Sequence, residues 1–142
     1  MTHVGFTGTR RGMTFLQRRV VNGLVWRVQN GEAHHGCCEG ADTEFHAMAY
    51  DAECRLHGHP PTNPVYRAAL TFRSTDIVHT EKPYIDRNRD IIDACEALIA
   101  APGEADEQLR SGTWSTIRYA RKLGRRILIV RPDGTVVEEK GR

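Results

Sequence analysis

Three short stretches rich in small residues carry the chemistry this sequence offers: Thr7-Gly8-Thr9-Arg10-Arg11-Gly12, His35-Gly36-Cys37-Cys38-Glu39-Gly40-Ala41-Asp42 and Ser111-Gly112-Thr113. Backbone N–H groups at the start of a helix attract an anion, and glycine lets a phosphate approach the main chain. Gly8, Thr9 and Arg10 in the first stretch, Gly36, Gly40 and Asp42 in the second, and Ser111, Gly112 and Thr113 in the third are therefore candidate ligand contacts. Tight strand-to-helix turns also need glycine for geometry alone, so each stretch by itself is weak evidence and only the set points to phosphate or nucleotide binding. The carboxylates near these turns are Glu39, Asp42, Glu44 and Asp90. Asp42 has an alternative use as a helix N-cap, and Glu44 as a first-turn residue favoured by the helix dipole. Glu39 is the one least explained by structure, and Glu39 and Asp42 are the candidates for activating a water. Arg87 flanks Asn88 near the start of a helix, an odd place for a cation that a phosphate would reconcile and a surface ion pair to Asp86 or Asp90 would also explain. Trp114 offers a ring either to a base or to the core.

The elements that must position these residues alternate strand and helix. His3 to Thr7 reads as a strand, followed by a helix from Leu16 in which Val20, Leu24 and Val28 recur every four positions, Val21 and Val25 widen the stripe, and Asn30-Gly31 closes it. Glu32 to Gly36 reads as a second strand. Asp42 or Thr43 then caps a helix with an inner face of Ala41, Phe45, Met48, Ala49 and Ala52, stopping near Gly58. Periodicity fails between His59 and Lys82, where Pro60, Pro61 and Pro64 predict an extended connection that is either mobile or functional. A helix resumes after Pro83 to Cys95, Ala97–Ala101 is a continuous apolar strand, 103–110 is an acidic loop, and a helix runs from Ser111 to Gly124. Ile127 to Val130 is the last buried strand, before an edge piece and charged tail over 136–142. The expectation is a single-domain, Rossmann-like, three-layer α/β fold over residues 1–142, with a mostly parallel sheet of about five strands. In such sheets ligands bind beyond the carboxyl ends of the strands, the edge on which all three stretches fall.

Composition bounds the rest. A chain of 142 residues with 39% hydrophobic and 27% charged residues suits one soluble domain. No apolar run reaches the roughly 18 residues of a membrane span and the N-terminus has no signal-peptide core, so no membrane association and a cytoplasmic location are expected. A net charge of +2 gives no overall basic field, and nucleic acid is not an expected partner. Cys37, Cys38, Cys54 and Cys95 read as reduced, buried thiols. The group His34, His35, Cys37, Cys38, His46, His57 and His59 has no C-x-x-C pair, so neither a metal nor a resident cofactor is expected.

The motifs also resemble a known group. Gly5-Phe6-Thr7-Gly8-Thr9-Arg10, His35 to Asp42, Arg87-Asn88 and Ser111-Gly112-Thr113-Trp114-Ser115-Thr116 look like the SLOG superfamily of Rossmann-like nucleotide-binding domains, over almost the whole chain. The H-G-x-x-x-G-A-D turn and the R-N pair, in that order, are most similar to the YspA-related branch. Arg110 with the last motif is similar to the R-S-G-[ST]-x-x-T stretch of DprA. The resemblance implies a nucleotide, a nucleotide sugar moiety or single-stranded DNA as ligand, and a homo-oligomer. LOG enzymes of the same superfamily carry G-G-x-G-T-x-x-E; with Thr113 as the motif threonine, the glutamate position falls on Thr116, which has no acid–base chemistry at neutral pH. The favoured reading is a protein that binds, senses or sequesters a nucleotide-derived ligand. A LOG-like hydrolase of an N-glycosidic or phosphate bond, using Glu39 or Asp42, is the alternative, and DprA-like single-stranded DNA binding the third.

Overall fold

In the computed structural model, residues 2–141 are described. The chain runs β1 (His3–Gly8), α1 (Phe15–Arg27), β2 (Glu32–His35), α2 (Ala41–Asp51), β3 (Arg55–Gly58), β4 (Ile77–Val78), α3 (Tyr84–Ala94), β5 (Ala97–Ala101), α4 (Gly112–Lys122), β6 (Arg126–Val130) and β7 (Val136–Glu139). The strands form one sheet in the order β4-β3-β2-β1-β5-β6-β7, parallel except for β7. This is the expected Rossmann-like α/β architecture with seven strands in place of about five.

The two additional strands escaped sequence reading for physical reasons. β3 contains a single aliphatic residue, Leu56, and its inward positions are filled by histidine and glycine, so no apolar run marks it. Helix α2 stops at Asp51 rather than near Gly58, because Glu53 adopts a left-handed φ of 58° that reverses the chain into β3. β4 is two residues long and lies in the proline-rich connection, which is pinned by bridges from Arg67 to Cys38 and from Lys82 to Pro61. The N-cap of α2 is Gly40, not Asp42 or Thr43: Asp42 sits one residue inside the helix and turns its carboxylate back to the N–H of Cys38 at 3.2 Å.

Helices α1 and α2 cover one face of the sheet, where Val4, Phe6, Phe45, Leu56 and Ile99 pack together and the rings of Phe6 and Phe45 stack at 4.5 Å. The stripe of α1 is centred on Gln17, Val21 and Val25, with Val20, Leu24 and Val28 only partly buried. Gln17 is the polar residue that shifts it: its amide closes a capping box with Thr14 and donates to the carbonyls of Pro102 (2.8 Å) and Val130 (3.0 Å). On the other face α4 packs over β5 and β6 with Ile117, Ala120 and Ile127 fully enclosed. All four cysteines are unpaired and buried, and burial pushes the Cys37 and Cys95 thiols up to about 12, which makes them poor nucleophiles. Among the described residues no helix is long and apolar enough to cross a membrane.

Candidate functional site

The chain builds β1 to β4 outward on one side, then crosses back to place β5 against the other edge of β1. That reversal opens a crevice at the carboxyl ends of β1 and β5, where the connecting loops diverge to opposite faces. A cleft of about 570 Å³ lies there, walled by Thr7 to Arg11, by Gly36 and Asp42, by Arg87 and Asn88, and by Arg110 to Thr113.

Accounting for backbone donors separates the three glycine turns. In the first, the N–H groups of Thr9, Arg11 and Gly12 go to the Ala101 carbonyl, the Thr9 hydroxyl and the Thr9 carbonyl. In the second, those of Cys37, Cys38, Glu39 and Ala41 go to His35 Nδ1, Asp42, the Tyr66 carbonyl and the Thr9 carbonyl. Most of the N–H groups in the loops of these two turns are thus engaged by protein acceptors. At the third turn, Ser111 caps α4 through a bond from the Trp114 N–H at 3.2 Å, and the N–H groups of Gly112 and Thr113 have no protein acceptor among the described residues. The start of α2 resembles it in that the N–H groups of Asp42 and Thr43 also have no acceptor among the described residues.

The glycines divide in the same way. A Cβ on Gly40, where φ is 85°, would collide with the Arg10 carbonyl, and one on Gly8 would meet Ala41 at 2.6 Å, so both are required by packing. A Cβ on Gly36 would run into Arg87 and Asp42. One on Gly112 would meet nothing within 4 Å. Its side of the helix end is open to the cleft.

Charge in the cleft is mostly positive. Arg87 is only 6% exposed and donates to the Gly36 carbonyl, the His59 carbonyl at 3.1 Å and Asn88 Oδ1 at 2.7 Å. It is neither the surface cation nor the Asp86 or Asp90 partner that sequence allowed; it fastens the second turn to α3 while facing the cleft. Arg10 lies over the Tyr66 ring at 4.3 Å and near that of Tyr84 at 4.9 Å, a cation–π clamp that holds the guanidinium without neutralising it. Arg11 pairs with Glu104 at 3.3 Å, whereas Arg10 and Arg110 make no ion pair among the described residues.

Asp42 is the carboxylate of the cleft floor, 8% exposed. Burial pushes its carboxyl up to about 6, against the opposing pull of the Arg87 guanidinium and the N–H groups of Cys38 and Gly36. The folded protein therefore binds this proton more tightly than the unfolded chain, whose carboxyl titrates near 3.8, and the stability it contributes is lost as pH rises through that interval. Asp42→Asn keeps an acceptor for Cys38 and removes the buried charge. Its melting temperature relative to the parent should climb between about pH 4 and 6 and stay higher above it, by about 3 kcal/mol at most. Thermal melts of both proteins across that range check this, and a difference independent of pH would show that the carboxyl titrates normally.

Several residues singled out from sequence fall elsewhere. Glu39 is exposed and outside the cleft lining. Trp114 is 4% exposed and packs with Ile92, Leu98 and Ile127, so its ring is a core residue. Thr116 donates its hydroxyl to the Gly112 carbonyl at 2.9 Å and closes on its own helix. Glu44 accepts from the Met13 N–H at 2.6 Å and pairs with Arg18 at 3.3 Å, bracing the loop after β1. Sequence reading missed Tyr84, which lines the cleft with a buried hydroxyl that has no hydrogen-bond partner among the described residues. Its one signal was its place directly after Pro83, at the first position of α3.

No protein-family model matches the chain, and no curated protein matches it. Solved structures do. The molybdenum cofactor binding protein from the phototrophic bacterium Rippkaea orientalis is similar with a TM-score of 0.70 and 18% identity, over 92% of this chain and 76% of that one. The Moco carrier protein from Chlamydomonas reinhardtii aligns with a TM-score of 0.66 and 16% identity, over 90% of this chain and 75% of its own. DNA processing protein A (DprA) from Streptococcus pneumoniae has a TM-score of 0.66 and 20% identity over 91% of this chain, which spans 50% of that protein. At these identities the likeness is one of fold.

Proposed function

We propose that the protein binds, senses or sequesters a phosphate-bearing, nucleotide-derived small molecule in the cleft without turning it over. One observation carries the reading: of the three glycine turns on one sheet edge, the third alone leaves the space beside its helix-start glycine open, with the N–H groups of Gly112 and Thr113 lacking a protein acceptor among the described residues, and the guanidiniums of Arg10 and Arg110, which make no ion pair among those residues, share its cleft. A cleft of about 570 Å³ is the size that takes a cofactor-sized molecule. That the fold is shared with a molybdenum cofactor binding protein and a Moco carrier protein supports a carrier over a catalyst. Four unpaired thiols fit a cytoplasmic setting. Ile85 and Leu109, 66% and 90% exposed, favour a homo-oligomer, which light scattering reads directly.

A second reading has an observation of its own. Asp42, on the cleft floor with its carboxyl raised to about 6, is poised to hold or accept a proton near neutral pH, as a hydrolase of an N-glycosidic or phosphate bond requires. Glu39 has no such placement.

The test is a thermal-shift panel of mono-, di-, cyclic and sugar-linked nucleotides, with chromatography of the recovered ligand. A true ligand at a hundred times its Kd stabilises by about 2.7 kcal/mol, roughly 5 to 10 °C in a domain of this size. Recovery of the ligand intact is the expected outcome. Steady release of base or phosphate that Asp42→Asn stops would replace the binder with the hydrolase, and flat melts throughout would remove both.

A further inference from the structure

On the face of the sheet that carries α3, residues in register across parallel strands share one side: Gly5 of β1 lies against His34 of β2, and His34 against His57 of β3. Gly5 marks this as the α3 side, since a Cβ there would touch Ile91 and Cys95. Where α3 and α4 do not reach, the strands carry imidazole in place of an apolar layer. His34 and His57 stack at 4.0 Å, His59 and His79 at 4.2 Å, and His3 lies 5.2 Å from His34.

A second pair shows what a purely structural histidine contact looks like. His35 Nδ1 accepts from the Cys37 N–H, His35 and His46 bond at 2.9 Å, and His46 Nε2 donates to the Thr71 carbonyl, so that chain begins and ends on the backbone. The other cluster is bonded imidazole to imidazole: His3 Nδ1 to His34 Nε2 at 2.9 Å, His34 Nδ1 to His59 Nε2 at 2.9 Å, and His57 Nδ1 to His79 Nε2 at 3.0 Å. Ring nitrogens of His34, His59 and His79 lie within 4.8 Å of one another, as do those of His3, His34 and His57. In a tetrahedral Zn²⁺ site, nitrogens each about 2.0 to 2.1 Å from the metal are roughly 3.4 Å apart, so side-chain adjustments of about an ångström close either trio on one ion. His57 donates Nε2–H to Glu32 at 2.7 Å, the carboxylate bracing that typically stands behind a metal-binding imidazole.

We propose that His34, His59 and His79 bind one divalent transition-metal ion of the Zn²⁺ class, with the Glu32-braced His57 beside them. The choice of trio follows from bonding: among the described residues the rings of His59 and His79 are each bonded only to one other imidazole, whereas His57 is held at both nitrogens by Glu32 and His79; His34, also bonded at both, keeps its bond to His3 and turns to the ion the nitrogen that now meets His59. His34 is shared by both trios and a neutral imidazole has one lone pair to give, so the stoichiometry is one ion per chain. An all-nitrogen donor set selects Zn²⁺, Cu²⁺ or Ni²⁺ and rejects the oxygen-seeking Mg²⁺ and Ca²⁺. The ligands come from β2 and from the residues following β3 and β4, so an ion would tie this edge of the sheet together. The site stands apart from the cleft and does not rest on the reading given for it.

The experiment titrates untagged, chelator-treated protein with Zn²⁺ by calorimetry and with Co²⁺ by visible absorption, with Mg²⁺ as comparison. Expected are one Zn²⁺ per chain, Co²⁺ d–d bands of nitrogen coordination, and no response to Mg²⁺. His79 is half-buried on a loop, so His79→Ala should fold, as circular dichroism will show, and weaken Zn²⁺ binding by more than about tenfold. Absence of Zn²⁺ binding, binding unaltered in His79→Ala, or binding lost in His3→Ala while retained in His79→Ala each overturns the proposal.

Discussion

Lowering the pH of the metal-free protein from 7.5 to 5 is expected to cost several kcal/mol of its stability. Burial drives the imidazole of His34 down to about 2 and that of His59 to about 3, aided by the neighbouring histidines, and fully enclosed His35 is held well below its ordinary range for the same reason. Unfolded, each takes up a proton near 6.5; folded, none does at pH 5, so the unfolded state binds more protons and stability falls as pH falls below that value. Each group then costs about 1.4 kcal/mol per pH unit, about 2 kcal/mol by pH 5, so His34 and His59 together remove about 4 kcal/mol and His35 adds to it. Asp42 acts in the opposite direction and returns about 1.4 kcal/mol over the unit below its value of about 6. Against a total of about 5 to 15 kcal/mol for a domain, the net loss is large and corresponds to a drop in melting temperature on the order of 10 °C. Melts followed by circular dichroism at half-unit pH intervals measure it. A melting temperature constant to within about 2 °C would mean that the imidazoles are accessible to protons in the folded state.

The second large effect is expected from Gly112→Val. Because a Cβ at Gly112 meets no protein atom within 4 Å and the residue is exposed, the variant should fold with a melting temperature close to that of the parent. The same side chain projects into the space before the free N–H groups of Gly112 and Thr113, where a phosphate would sit. Affinity for whichever nucleotide stabilises the parent should fall by at least about a hundredfold, since both the close approach and the helix-end bonds are lost. Arg110→Ala, an exposed change that orphans no partner among the described residues, should weaken the same ligand by about 1.5 to 3 kcal/mol. Arg87→Ala is the wrong probe, because it strips three bonds from a buried guanidinium and so tests the fold. Unchanged affinity in folded Gly112→Val would exclude the third turn as the anion site.

Local pattern was enough for the architecture. Apolar runs such as Ala97–Ala101, glycine turns after them and helical spacing thereafter determine an alternating, mostly parallel α/β domain and place the three glycine turns on one edge, because right-handed crossovers allow few other arrangements. The same turns were legible as candidate anion sites, but their sequences could not rank them. Which N–H groups are already spent depends on partners such as Tyr66, Ala101 and Thr9, brought in by the tertiary fold. Burial of Arg87 and Asp42 likewise depends on β2, α2 and α3 converging, so the choice that sequence left open, between ligand contact and surface ion pair for Arg87 and between ligand contact and helix cap for Asp42, was not decidable from spacing. The histidines mark the limit most sharply. His34, His59 and His79 have no metal-ligand spacing along the chain, and two strands beside them have no apolar signature. Their imidazoles meet only because parallel strands in register, joined by long crossovers, set residues some twenty positions apart side by side. Sequence by itself determined the four helices, five of the seven strands and the sheet edge that carries the glycine turns; the tertiary structure alone decided which donors remain free and which rings converge, since those depend on contacts between strands and not on spacing within them.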